Sequence, residues 1–434
     1  MIASESLKIS YNHLVLFLIV SAYLGVAISF SDFYLFHFVL SILGILWIYK
    51  LKRNEYKFDI NILSKNYVFS LIVIFIWYSI SLFWAPSIEL GLKYIFYLFC
   101  GLAISISMIS FSNSIRNLNK MFHLLSIFVF MEIMISLVES FTSFRMPISS
   151  YSSIASFFGK EPISLSVLDN IIYSKIRPPT GFRWNTNNLA ISMVIALPFF
   201  LCNKKTTIKF FGIFAITTIV VMSASRAVFL SLILIYSLYL FFIKKRIGTL
   251  GLIWFISIGI LWGMNQLRDS DNLRINELAN SMEALTLYLT GEVDIGGSLQ
   301  WRRELVDNGL KAFSKSYGLG LGAGGSLANQ ELIGPVAGRF TSMHNFWVEL
   351  LVEGGIFVAI IIFFWHISII YKLFVISITT TNNSLKYYSQ SLFLSVTAFV
   401  PAAIAASSTI YFFPMWVMFG FAISVILLSK IQAN

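Results

Sequence analysis

The sequence predicts an all-α polytopic membrane protein with about twelve transmembrane helices and a large helical external loop between helices 9 and 10. Of its 434 residues, 57% are hydrophobic and only 12% are charged, whereas soluble domains are about 25% charged. The mean hydropathy is +0.80. Apolar runs of transmembrane length recur along the chain, and basic residues cluster in alternate connections. These observations together exclude a soluble globular enzyme.

Twelve apolar runs approach or reach the length of about 17–25 residues that spans a bilayer. They are residues 13–30, 33–49, 67–84, 91–110, 121–138, 188–202, 208–222, 227–243, 248–266, 345–371, 389–408 and 410–429. The first run resembles a signal peptide, but no small-residue cleavage site follows it. We therefore expect an uncleaved first helix and a single membrane domain over residues 1–434.

The distribution of lysine and arginine predicts the orientation of these spans. Basic residues cluster at 50–65, 204–209 and 244–246, whereas the short turns 31–32 and 85–90 contain none. Cytoplasmic connections carry the excess of basic residues in membrane proteins. Both termini are therefore expected on the cytoplasmic side.

Two long segments, residues 139–187 and 265–343, both fall on the predicted external side and contain several arginines. Positive charge on that side runs against the usual bias, although long loops can translocate regardless of charge. The arginines either form solvated loop faces or bind a phosphate-bearing lipid or other polyanion, since guanidinium groups suit phosphate. We expect the two segments to cover an active site.

The first external segment ends in RPPTGFRWNTNNLAISM, residues 177–193. The two prolines favour an extended chain, and asparagines before an apolar run are typical helix caps. One interpretation is simply a well-capped helix start. The other adds Arg177 and Arg183 as anion contacts beside a helix N-terminus.

The stretch MSASRAVFLSL, residues 222–232, predicts a tight turn of small residues in which Arg226 begins the next helix. An arginine at the rim of a span can extend its side chain to the interface. Because this arginine is confined to a turn, a role in a site is the favoured alternative.

The second external segment contains an amphipathic helix from Trp301 to Phe313, with Arg302 in its first turn. The glycine-rich run at 318–325 resembles a phosphate-binding loop but lacks the Lys-Ser/Thr pair of that motif. We expect it to be a turn that packs close to other backbone. His344 ends this segment. It is either a capping or interfacial residue, or a general base, since imidazole titrates near neutrality.

Four stretches in order resemble the O-antigen ligase and O-antigen polymerase superfamily: TGFRWNTNNLA, SASRAVF, WRRELVDNGLKAF…GLGLGAG and HNFWVELLVEGGIF. They cover residues from about 177 to 360, and the first five spans match only in hydropathy. The resemblance implies a fold like that of GT-C polyprenyl-phosphate-dependent glycosyltransferases. It also implies glycans carried on undecaprenyl diphosphate at the periplasmic, outer face of the bacterial plasma (inner) membrane.

The resemblance assigns catalytic roles to Arg226, Arg302 and His344. Arg302 matches the arginine of the loop helix better than Arg303 does, although Val306 stands where relatives often have Trp. In this scheme the arginines neutralise the departing diphosphate, and His344 takes the proton of the acceptor hydroxyl, which gives inversion. The remaining predicted substrate-binding residues are Arg177, Arg183, Arg303, Arg339, Asn187, Asn345 and Glu349.

Two acceptors remain open. A polymerase would use a lipid-linked repeat unit as an acceptor glycolipid, and a ligase would use lipid A core; we favour the polymerase. A third alternative is a lipid-linked glycan flippase, which should carry charges within its spans, where Glu132 is the clearest acid. Membrane lipids and a chain-length regulator protein are expected partners. No cofactor, metal or nucleic acid is expected.

Overall fold

The computed structural model describes residues 2–53, 66–162, 177–249, 251, 259, 298–336, 341–406 and 410–433. Its longer helices are α1 (Ile2–Leu24), α2 (Leu35–Lys52), α3 (Asn66–Ile80), α4 (Ile88–Phe111), α5 (Ile115–Phe141), α6 (Thr186–Leu201), α7 (Thr206–Ser223), α8 (Arg226–Leu238), α9 (Ser298–Lys315), α10 (Gly325–Ile333), α11 (Phe346–Thr379), α12 (Asn383–Ala402) and α13 (Phe413–Ala433). Short 3₁₀ or π turns cover Gly25–Ala27, Ser81–Phe83, Ser153–Phe158, Tyr239–Ile243 and Ile247–Thr249.

The predicted fold class is confirmed: the protein is an all-α polytopic membrane protein. Within the described residues, seven helices are long and apolar enough to cross a membrane. These are Asn66–Phe83, Ile88–Phe111, Ile115–Phe141, Thr206–Ser223, Arg226–Ile243, Phe346–Thr379 and Phe413–Gln432. Three shorter apolar helices cover Tyr11–Ala27, Leu35–Tyr49 and Thr186–Leu201.

Eleven of the twelve predicted spans coincide with a helix, but two of these differ from the prediction. The predicted span 389–408 is the helix α12, which begins at Asn383 and ends at Ala402. The predicted span 345–371 is α11, whose helical geometry is interrupted at Gly355 (φ 74°, ψ −175°). The predicted span 248–266 lies almost entirely outside the described residues.

Hydroxyl and amide side chains determine where several helices begin. The Oγ atom of Ser87 accepts from Leu90 N before α4, and that of Ser114 accepts from Asn117 N before α5. Such side chains satisfy amide groups that have no partner in the first helical turn.

Helix α13 lies at the centre of the bundle, where it packs against α1, α4, α11 and α12. Its side chains at Phe413, Ile423 and Val425 are almost completely buried. A helix that is apolar on all sides is expected in this central position. Residues from its first turn therefore reach the same end of the bundle as the starts of α4, α6 and α11.

At that end, a hairpin and a 3₁₀ turn contact each other. The strands β1 (Ser29–Phe30) and β2 (Phe33–Tyr34) pair antiparallel, with Ser29 opposite Tyr34. The amide of Ser31 in the turn of the hairpin donates to Phe158 O at 2.7 Å. This bond fixes part of the predicted external segment 139–187 against the connection between α1 and α2.

Candidate active site

The break in α11 is built together with the glycine-rich loop. Where the helix is interrupted, the amides of Leu321 and Gly322 donate to Val352 O and Glu353 O at 2.7 and 3.0 Å. The amide of Ile356 donates to Gly318 O at 3.0 Å. The loop backbone thus replaces the helical hydrogen bonds that the break removes.

Glycine is required at this contact for two reasons. Gly355 and Gly320 both have positive φ, 74° and 84°. A Cβ at Gly355 would lie 2.4 Å from Leu319 O, and one at Gly320 would lie 2.4 Å from Glu353 O. The prediction that this loop packs close to other backbone is therefore confirmed, and its glycines are explained without a bound phosphate.

His344 lies two residues before α11 and has a positive φ of 51°. Such a conformation is uncommon for a residue with a side chain, although histidine tolerates it better than most, and backbone strain clusters at functional sites. Two hydrogen bonds fix the start of α11 directly after His344. Asn345 caps α11 by accepting from Val348 N at 3.4 Å, and Phe346 N donates to Ala403 O at 3.3 Å.

Arg302 lies close enough to His344 for its charge to act on the imidazole. Burial, and secondarily the positive charge of Arg302, lowers the pKa of His344 to about 4. Burial also lowers the pKa of Arg302. A cation and a neutral imidazole side by side can bind an anion and accept a proton in the same site.

Arg303 is in a different environment from its neighbour. Its Nε lies 3.8 Å from Asp307 Oδ2, one turn further along α9, and its side chain is 61% exposed. Arg302 is half-buried. The two arginines therefore lie in different surroundings, and it is the charge of Arg302 that acts on the pKa of His344.

Arg226 is the first residue of α8, as predicted. The turn before it contains Ala224 at φ 53°, and Ser223 and Ser225 are buried. Helix α8 packs along α12, and α12 packs along α11. Arg226 therefore stands at the N-terminus of a helix that is linked to α11 through α12.

Two glutamates follow His344 on the first turns of α11. Glu349 Oε1 accepts from Tyr94 Oη at 3.2 Å, which connects α11 to α4. Glu353 Oε1 accepts from Ser326 Oγ at 2.6 Å in the first turn of α10. Both side chains are buried, and these contacts tie the start of α11 to its neighbours.

The segment that begins at Arg177 is held by a second glutamate cluster. Glu139 Oε2, at the end of α5, accepts from the amides of Thr180 and Gly181, both at 2.7 Å. Arg145 donates to Glu139 O at 2.8 Å, and it lies near enough to Arg177 for their charges to repel. Arg177 is thus placed beside another arginine at the edge of this segment.

Arg183, at the other end of the segment, is buried and engaged by the protein. Its Nη2 and Nε lie 3.0 Å from Glu132 Oε2 and Oε1, respectively. It also donates to Tyr23 O at 2.6 Å and to Ser192 Oγ at 2.9 Å. Its guanidinium neutralises the buried carboxylate of Glu132, which requires a cation, and the substrate contact expected for Arg183 stays a prediction.

The sequence analysis missed the roles of Glu132 and Glu139, although a signal was present. The two acids are seven residues apart on an apolar helix, which places them on one face. Acids inside a span nearly always have a partner. Two arginines occur in the segment that returns to the same end of the bundle, and one of them is the partner of Glu132.

The remaining predicted residues are placed as follows. Asn187 is half-buried in the first turn of α6, after Asn185 has capped that helix by accepting from Asn188 N at 2.9 Å. Arg339 lies outside the described residues. Among the residues that the structure describes, no group of three or more His, Cys, Asp or Glu could hold a metal ion.

Two cavities lie near these residues. A polar cavity of about 340 Å³ is lined by Lys93, Lys160, Arg183, Asn188 and several aromatic residues, and Ser342 forms part of its wall. Ser342 is two residues before His344, but among the described residues that line this cavity there is none of Arg226, Arg302 and His344. The second cavity, of about 720 Å³, is apolar and lies between α5, α6, α7 and α13.

The two cavities are separated by the Arg183 cluster. Tyr23 and Ser192, which both contact Arg183, line the apolar cavity, and Arg183 itself lines the polar one. Pro414 lines both. An apolar space inside the bundle therefore ends at a space whose wall includes Lys93, Lys160 and Arg183.

A family described as O-antigen ligase matches residues 211–363. This region contains Arg226, Arg302 and His344. Among characterised proteins, the teichuronic acid biosynthesis protein TuaE of Bacillus subtilis (strain 168) is 23% identical over 416 residues. The alignment covers 94% of this chain and 81% of that relative.

Both similarities agree with the motifs that the sequence contains. The predicted resemblance to the O-antigen ligase and polymerase superfamily is confirmed.

Proposed function

We propose, from the similarity of residues 211–363 to O-antigen ligases, that this protein is a surface-polysaccharide polymerase. It transfers a glycan from undecaprenyl diphosphate to a lipid-linked repeat unit, as a glycosyltransferase that inverts the anomeric centre. The reaction takes place at the periplasmic, outer face of the bacterial plasma (inner) membrane, with both termini cytoplasmic. The segments 139–187 and 265–343 cover the active site.

The observation that carries this proposal is the proximity of Arg302 to a neutral His344. A sugar linked to diphosphate already has a good leaving group, so the enzyme must stabilise the departing charge and remove a proton from the acceptor. Arg302 and Arg226 supply positive charge for the diphosphate. Neutral His344 accepts the proton of the acceptor hydroxyl as the glycosidic bond forms.

The cavities support a lipid-linked substrate. The apolar cavity of about 720 Å³ accommodates part of a hydrocarbon chain inside the bundle. The cavity lined by Lys93, Lys160 and Arg183 suits the polar head of such a molecule. Arg183 and Glu132, which separate them, act as positioning residues in this proposal, and Arg177, Arg303, Arg339, Asn187, Asn345 and Glu349 remain candidates for contacts with the glycan.

Ligation to lipid A core is the second candidate, because the family that matches is described as O-antigen ligase. The two activities share a donor and differ in the acceptor. Nothing in the geometry of the arginines and His344 separates them, so the acceptor must be identified by experiment. A flippase is less consistent with the structure, because the mid-span acid Glu132 is neutralised by Arg183 rather than lining a path.

The test is transfer by the purified protein in proteoliposomes that contain lipid-linked repeat units. A polymerase produces a ladder of products from repeat units alone, whereas a ligase produces a new product only when lipid A core is added. His344→Ala should lower transfer by about 10²–10⁴-fold, which is the usual contribution of a general base. Transfer by His344→Ala at the wild-type rate, with equal amounts of folded protein, would exclude this role.

A further inference from the structure

We propose that the polar cavity lined by Lys93, Lys160 and Asn188 binds an anionic group of the acceptor glycan. The proposal rests on the proposed function and names the chemistry that the acceptor must carry. The anion is either the carboxylate of an acidic sugar or the diphosphate of the lipid carrier. Neither lysine belongs to a motif that the sequence analysis singled out.

The charges in the cavity leave one cation in excess. Lys93 Nζ pairs with Asp32 Oδ2 at 3.0 Å, and the Arg183 guanidinium pairs with Glu132. Lys160 Nζ lies 5.5 Å from the ring centroid of Tyr34, and among the described residues no carboxylate lies within ion-pair distance of it. Asp32, which pairs with Lys93, also acts on Lys160 and opposes the lowering of its pKa, so an anion in the cavity would meet two lysines and one carboxylate.

The position of Lys160 is determined by the fold rather than by its own flexibility. Gly159 ends the turn Ser153–Phe158 with φ 70°, and Lys160 N donates to Ala155 O at 3.1 Å. The same turn is bonded to the hairpin through Phe158 O. Burial lowers the pKa of Lys160, and a bound anion would offset that cost.

The rest of the cavity suits a sugar. Asn188 is only 8% exposed, and its Oδ1 has no hydrogen-bond partner in the part of the chain that the structure describes. A sugar hydroxyl can donate to this oxygen. Tyr97 and Tyr411, whose ring centroids are 5.4 Å apart, form an aromatic part of the wall. Trp184 also lines the cavity. A few polar groups among aromatic side chains are typical of small-molecule sites.

The cavity is also placed for an acceptor. Ser342, two residues before His344, is in its wall. Tyr94 lines the cavity and donates to Glu349, five residues after His344. A sugar in the cavity would therefore contact Ser342, in the segment that leads to the proposed general base.

The experiment measures binding of three soluble probes to the purified protein by isothermal titration calorimetry at fixed low salt. The probes are trigalacturonic acid, neutral maltotriose and inorganic pyrophosphate. Binding is measured in wild-type and His344→Ala protein, so that a failure of catalysis does not affect the result. Lys311→Gln, which removes an exposed lysine of α9, is the matched control.

For a carboxylate-bearing acceptor, trigalacturonic acid should bind more tightly than maltotriose. Lys160→Gln should weaken it by about tenfold or more, as expected for loss of a charge-assisted contact. Asp32→Asn should strengthen it, because this change removes the carboxylate that opposes an anion, and Lys311→Gln should have no effect. An increase in affinity in Asp32→Asn would also show that this substitution does not act by unfolding the protein.

If pyrophosphate rather than the uronide loses affinity in Lys160→Gln, the cavity holds the diphosphate of the carrier. Unchanged binding of both anions in Lys160→Gln and Lys93→Gln would overturn the proposal, whether or not transfer is observed. Conversely, lysine-dependent binding by a protein that transfers no glycan would leave the anion site in place and reject the proposed function.

Discussion

Arg183 and Glu132 form an ion pair in the interior, with 3.0 Å between Arg183 Nε and Glu132 Oε1. Their side chains are 4% and 0% exposed. The Tyr23 hydroxyl also donates to Glu132, and the Arg183 guanidinium lies 4.8 Å from the centroid of the Tyr23 ring. Three segments that are distant in sequence are thereby joined at the boundary between the polar and apolar cavities.

Arg183→Met should destabilise the protein by about 3–5 kcal/mol, because it leaves the carboxylate of Glu132 buried without its cation. The double variant Arg183→Met/Glu132→Gln should regain part of this loss. Thermal unfolding in detergent measures both. Lys93→Gln is the control, since it breaks an exposed pair that contributes about 0–1 kcal/mol. Equal stability of the single and double variants would contradict a coupled pair.

Arg302 and Arg303 should differ sharply when each is replaced. Arg302→Lys keeps the charge but loses the two-pronged contact with phosphate, and transfer should fall by about tenfold to a hundredfold. Arg303→Ala should reduce transfer less than Arg302→Lys does, because Arg303 is exposed beside Asp307. Initial rates in proteoliposomes decide this. The reverse pattern would mean that the loop helix turns Arg303 toward the diphosphate.

The pH dependence of kcat/KM should reflect the lowered pKa of His344, which is about 4. The base is active when it is neutral, so activity should be constant from about pH 8 to pH 5 and should fall as the pH decreases through about 4. Arg302→Gln removes a charge that lowers this pKa, and the acidic midpoint should move upward toward the ordinary value of about 6.5. Arg303→Gln serves as the comparison and should leave the midpoint in place. A wild-type midpoint near the ordinary value of histidine would refute the buried base.

Gly355→Ala should destabilise the protein by about 2–5 kcal/mol, because it combines a left-handed backbone with a clash against Leu319 O. Gly44→Ala in α2 is the matched control. A Cβ at Gly44 meets no described atom within 4 Å, so alanine there should be neutral or slightly stabilising. The shift in the midpoint of thermal unfolding distinguishes the two. Equal shifts would show that the loop does not depend on the break in α11.

Transfer should continue in excess EDTA, since arginines neutralise the charge that a metal would otherwise compensate. The purified protein is assayed with lipid-linked repeat units before and after chelation. Activity that is lost with EDTA and restored by magnesium or manganese would indicate a carboxylate–metal site instead.

The sequence by itself determined which segments leave water and where several helices begin. Hydropathy and basic residues predicted eleven helices that the structure contains, because burial in a membrane requires long apolar runs. Local chemistry was equally informative. Asn185 and Asn345 cap their helices as asparagine is expected to, and the glycine-rich loop packs against backbone.

Only the tertiary structure decided which side chains meet. The Gly354-Gly355 pair permits a break in α11, but the interruption at Gly355 depends on hydrogen bonds with a loop more than thirty residues earlier, which the apolar run does not specify. Likewise, arginine is a residue type that commonly binds phosphate, but the guanidinium of Arg183 pairs with Glu132, 51 residues earlier in the chain. Hydropathy indicates how strongly each segment favours an apolar environment. The partner of a buried charge, in contrast, is determined by which helices pack together.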